Sequence, residues 1–124
     1  MQSTSANKAL KIIEENPLVH VVWHKKSCIA CQHFMPILEN LSSLLPDWTF
    51  IKIDAEEHAK LVDNLYWEPT AFPISYSFKQ GVRVFVAVGS APTESIVVTH
   101  NEISQGTWKS PEQLEKEQLD ALSE

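Results

Sequence analysis

Apolar and polar positions follow two different rhythms along this chain, and the changes of rhythm mark its elements. Ala9, Leu10, Ile12 and Ile13 make one stripe at helical spacing, and Asn16-Pro17 ends it, so Ser5–Glu15 is predicted to be a helix. Leu18–Trp23 is a nearly unbroken apolar run, the pattern of a strand buried on both faces. His24–Ser27 is a polar loop, with Ser27 placed to cap a following helix. From Cys31 onward, Phe34, Met35, Leu38, Leu41 and Leu45 recur at helical spacing. Pro36 lies inside this helix, where it should kink it, and Pro46 closes it.

Thr49–Asp54, with Phe50, Ile51 and Ile53 apolar, reads as a second strand. Asp54 and Glu57 have the spacing of a capping box, ahead of a short helix carrying Ala59, Val62, Leu65 and Tyr66. Ile74, Tyr76 and Phe78 share one face of a strand, Lys79-Gln80-Gly81 turns, and Val82, Val84, Val86 and Val88 share one face of the next. Gly89 ends that hairpin. Pro92–Ser104 is predicted helical although Ile96, Val97, Val98 and Thr99 are poor helix formers. Ser110, Pro111 and Gln113 mark the start of a last, weakly amphipathic helix reaching about Leu122. Parallel strands joined by helices, followed by an antiparallel hairpin, predict an α/β fold with a central mixed sheet flanked by helices. Residues 1–105 are expected to form the domain, with 106–124 as a C-terminal helical extension.

Composition narrows the class. A length of 124 residues fits one domain, and 44% apolar content supports a core without staples. A net charge of -6, with nothing basic clustered beyond Lys25-Lys26, argues against nucleic acid as a partner. No apolar run approaches the roughly 20 residues of a membrane helix. Met1–Lys11 lacks an apolar signal segment, so a cytoplasmic monomer is expected. Two cysteines are too few for a structural disulfide framework.

Those two cysteines carry the chemistry, in the stretch Cys28-Ile29-Ala30-Cys31. At a strand-to-helix junction this spacing brings two sulfurs within disulfide reach. A helix N-terminus and nearby cations favour a thiolate there, and Lys25, Lys26 and His24 are close in sequence. Cys28 would attack a substrate disulfide, and Cys31, one turn inward, would resolve the mixed disulfide. No cofactor is required. A zinc site from His24, Cys28, Cys31 and His33 is the competing reading, but His33 follows Cys31 by two helical positions and should point elsewhere. His20 reads as a core or edge residue, and His58 and His100 as surface residues on helices. Trp23, Trp48 and Trp108 read as packing residues.

These motifs, in this order, resemble the thioredoxin family from about Leu18 to Ile103. Pro36, five residues after Cys31, matches the proline of the family's active-site helix. The stretch from Pro73 to Gly81 is similar to the family's proline, strand and Phe-Lys-x-Gly hairpin. The resemblance implies a cis Phe72-Pro73 bond facing the dithiol, and a substrate groove shaped by Phe72, Pro73 and Gly89, with Trp67 lining it from the preceding loop. An extended substrate strand would pair with the backbone beside Pro73. Departures are specific. Ile29-Ala30 replaces the usual Gly-Pro, and Ser27 and His24 stand at two tryptophan positions. Val22 stands at a buried acidic position, leaving proton transfer to water or His24. Tyr66–Ala71 is slightly longer than the family loop, and the family's first strand is expected to be missing.

The resemblance implies a thiol-disulfide oxidoreductase acting on protein disulfides, a reductant recharged by a thioredoxin reductase or a glutathione system. Potentials in this fold run from about -270 mV to about -120 mV, so direction stays open. A thioredoxin-fold binding module with vestigial redox activity is the alternative, motivated by Val22, Ser27 and Ile29-Ala30. An oxidant or isomerase in an exported compartment is the third reading.

Overall fold

The computed structural model describes residues 1–57, 69 and 71–123. Helix α1 (Ala6–Glu15) starts at Ser5, whose hydroxyl accepts from the Lys8 N–H. Strand β2 (Leu18–His24) sits inside a five-stranded sheet of order β1-β3-β2-β4-β5. Here β1 is Gln2–Ser3, β3 Thr49–Asp54, β4 Ile74–Lys79 and β5 Val82–Val88. β1 and β2 run parallel to β3, while β4 is antiparallel to both β2 and β5. Helices α2 (Ile29–Leu44), α3 (Thr93–Gln105) and α4 (Pro111–Leu122) complete the order.

Alternation along β2 divides the core. Val19, Val21 and Trp23 face α1 and pack with Ala6, Ala9, Ile13, Ile51, Ile53, Ile74, Tyr76 and Phe78. Val22 faces α2 and α3, among Phe34, Leu38, Leu41, Phe50, Ile96 and Ile103. Each such fully buried aliphatic side chain stabilises by about 1.5–3 kcal/mol relative to exposure. β2 is thus covered on both sides, which is what its unbroken apolar run requires.

Three expectations are corrected. The first strand is present: Gln2 and Ser3 pair with Ile51 and Lys52, and the Thr4 N–H donates to the Lys52 carbonyl at 2.9 Å. Two exposed polar residues carry no apolar rhythm, so only the backbone ladder reveals it. The Val82, Val86 and Val88 side chains are exposed on β5, the edge strand. Ser27 does not cap α2; Cys28 does. His100 is buried, at 2% exposure, where α3 turns it onto the sheet. It meets Trp48 edge-on with ring centroids 4.5 Å apart, and His20 at 5.2 Å. His100 Nδ1 lies 2.8 Å from the Ile96 carbonyl, which only accepts, so the ring proton is on Nδ1. Nε2 therefore accepts from the Ser77 hydroxyl at 3.1 Å.

α2 runs through Pro36 as one helix. α4 begins with the expected capping box between Ser110 and Gln113 and buries none of its residues. The expected short helix carrying Ala59, Val62, Leu65 and Tyr66, and His58 and Trp67 with it, lie outside the described residues. No helix among the described residues is long and apolar enough to cross a membrane.

Candidate functional site

β2 delivers the chain to the C-terminal edge of the parallel strands, and the Lys25–Ser27 loop turns it into α2. Ser27 is held there by Glu56 in the turn after β3: its N–H and hydroxyl donate to the same carboxylate oxygen at 3.1 and 2.8 Å. Those two donors hold the Glu56 carboxyl below the usual range. The Cys28 N–H donates to the Lys25 carbonyl at 3.2 Å. Cys28 has extended backbone angles (φ -92°, ψ 113°), as an N-cap requires. Its sulfur accepts from the Cys31 N–H at 3.1 Å, so the first turn of α2 is organised around the sulfur itself.

Cys28 is partly exposed and Cys31 buried, both as unbridged thiols. Burial, followed by hydrogen bonding with the Cys28 sulfur, pushes the Cys31 thiol up to about 11. The two cysteines thus differ in access in the way attack and resolution require. Ile29, first in the spacer, is 71% exposed and stands as an apolar lip beside Cys28.

Across from the dithiol, the Phe72-Pro73 bond is cis, as the resemblance implied. The Cys28 thiol reaches the Phe72 carbonyl at 3.6 Å. The Gly89 N–H donates to the Pro73 carbonyl at 2.7 Å, tying the end of β5 to the proline loop. Gly89 has φ 87°, a region that disfavours a side chain, which explains glycine there. Phe72, Pro73 and Gly89 therefore gather beside Cys28, and Trp67 lies outside the described residues. His33 is exposed on α2, whereas Cys31 is buried.

Several contacts escaped the sequence reading. Lys25 sits 4.4 Å over the Phe72 ring, a cation–π contact joining positions far apart in the chain. A groove of about 680 Å³ opens on the other side of Cys31, lined also by His24, Lys26, Met35, Glu39 and Lys52. Lys52 and Glu39 pair there at 3.7 Å. No local signal marks either residue, because β3 and the middle of α2 meet only after folding. Only the polar His24, ending an apolar strand, gave a hint.

The comparisons agree with this geometry. No family model matches the chain. A thioredoxin of Chlamydia pneumoniae is 36% identical over 72 residues, which is 58% of this chain and 69% of that protein. Among solved structures, Plasmodium falciparum thioredoxin superposes with a TM-score of 0.70 at 23% identity, covering 79% of this chain and 95% of its own. A mutant thioredoxin from Halobacterium salinarum gives 0.72 at 21% identity, over 89% and 93%. Oxidised mitochondrial thioredoxin 3 from Saccharomyces cerevisiae gives 0.71 at 20%, over 82% and 94%. At such identities the superpositions speak for the fold alone. The sequence relative carries the family, and the chain belongs to the thioredoxin-like superfamily of thiol-disulfide oxidoreductases.

Proposed function

We propose that this protein reduces protein disulfides by exchange through Cys28 and Cys31. The carrying observation is the placement of a partly exposed Cys28 at the N-cap of α2, its sulfur accepting from the peptide N–H of a buried Cys31. Cys28 attacks a substrate disulfide and forms a mixed disulfide. Cys31 then attacks the Cys28 sulfur, closing the intramolecular disulfide and releasing the reduced substrate. Ile29, Phe72, Pro73 and Gly89 form the surface on which an extended substrate segment lies. A reducing cytoplasm suits this direction, with a thioredoxin reductase or a glutathione system returning the electrons, and the protein acting as a monomer.

Insulin reduction tests the proposal. Turnover by the full chain that is abolished in Cys28→Ser, with a trapped mixed disulfide in Cys31→Ser, supports it. No turnover by the wild-type protein in either redox state sinks it and leaves the binding-module reading. A Cys28–Cys31 potential near about -120 mV, rather than near about -270 mV, overturns the reductant direction.

A further inference from the structure

Cys31 has to lose a proton before it can resolve a mixed disulfide, and burial holds that proton tightly. Val22, packed among Phe34 and Leu38 on the same face of the sheet, offers no group to take it. The groove behind Cys31 does. Its titratable lining residues, besides Cys31, are His24, Lys25, Lys26, Glu39 and Lys52. The lysines carry no acceptor, and Glu39 is paired with Lys52. His24 Nε2 is shielded from solvent and has no hydrogen-bond partner among the described residues. His24 lies opposite Asp54 in the β2–β3 ladder, and the Asp54 carboxylate is fixed by the Glu56 and Glu57 N–H groups at 2.9 and 3.3 Å.

We infer that His24, which lines the same groove as Cys31, is the proton acceptor for Cys31 once Cys28 is held in a mixed disulfide. This rests on the disulfide-exchange reading above. In the resolving step His24 Nε2 takes the Cys31 proton, and the Cys31 sulfur attacks Cys28. The Cys28–Cys31 bond forms, the bond from Cys28 to the substrate sulfur breaks, and the leaving thiolate is protonated by the imidazolium or by solvent. The dithiol is oxidised by two electrons and the substrate disulfide is reduced. Burial lowers the His24 pKa, Asp54 opposes this, and Lys52 and Lys26 add to it against Glu57. The imidazole is therefore neutral and able to accept at neutral pH. Once Cys28 is in a mixed disulfide, its hydrogen-bonding and charge effects on Cys31 are gone, and burial alone opposes ionisation.

The test mixes the full, reduced chain with excess 5,5′-dithiobis(2-nitrobenzoate) and follows two successive releases of thiolate. The first reports attack by Cys28, and the second reports resolution by Cys31. In His24→Gln the ratio of the second rate to the first is expected to fall at least about tenfold. Its pH profile should lose the inflection on the acid side of neutrality, and added imidazole should restore the ratio in His24→Ala. An unchanged ratio overturns the inference, as does a lowered ratio with an unaltered pH profile and no imidazole rescue. No first release from the wild-type chain overturns disulfide exchange itself, and this inference falls with it.

Discussion

The Cys31 N–H donates to the Cys28 sulfur at 3.1 Å, so the candidate nucleophile is also the N-cap of its own helix. Structure and chemistry at that position are therefore separable by substitution. Serine is a strong N-cap and alanine a poor one. Cys28→Ser is expected to keep most of the stability while abolishing disulfide exchange. Cys28→Ala should lose activity and also about 0.5–2 kcal/mol of stability, read by urea denaturation. Equal stability of the two variants would show that the sulfur does not act as a cap.

A second buried polar pair sits on the same face of the sheet. The Ser77 hydroxyl donates to His100 Nε2, and neither residue is more than 2% exposed. Ser77→Ala leaves a buried acceptor without its donor and is expected to cost about 1–3 kcal/mol. The double replacement Ser77→Ala with His100→Leu removes both polar groups and should recover part of that loss. Additive losses in chemical denaturation would contradict a direct bond between them.

Acid should destabilise the fold before its carboxylates titrate. Burial lowers the pKa of His20 and His100, and for His20 the neighbouring His100 adds to this. Their neutral forms are favoured in the folded state, so the unfolded chain binds protons first as pH falls. Stability is then flat above about pH 6.5, the unfolded value, and declines below it through each folded pKa. Each histidine contributes at most about 1.4 kcal/mol per pH unit in that window. Urea midpoints measured from pH 8 to 5 should show this decline, and a shallower slope in His100→Gln. An unchanged slope in that variant would remove His100 from the cause.

The terminal helix contributes little to the core. α4 buries none of its residues, and its Glu117 pairs with Lys109 on the surface. Trp108, which packs edge-on against Phe85 at 5.6 Å, belongs to the segment before it. Ending the chain after Lys109 is expected to change stability by less than about 0.5 kcal/mol and to leave insulin reduction intact. Ending it after Gln105, which also removes Trp108, should cost measurably more. Thermal denaturation of both truncations separates the two.

The sequence alone determined the features written in local rhythm and spacing. Helical stripes, the doubly buried run of β2, the hairpin, the dithiol and the proline loop all needed only neighbours a few residues apart. Period and turn chemistry act over that distance, so Pro111 with Ser110 announced α4, and Cys-x-x-Cys announced the chemistry. Tertiary structure decided what depends on residues distant in the chain. β1 exists only because β3 supplies its hydrogen-bond partners. His100, polar on a helix of mixed pattern, turned inward because Ser77, 23 residues earlier, offered it a donor. Ser27 lost the cap to Cys28 because α2 begins one residue later than expected, at Ile29, while Glu56, 29 residues on, takes both Ser27 donors. The setting of the dithiol followed the same rule. The cysteines were legible from their spacing, but the groove that Cys31 shares with His24 forms only when β3 and α2 close around it.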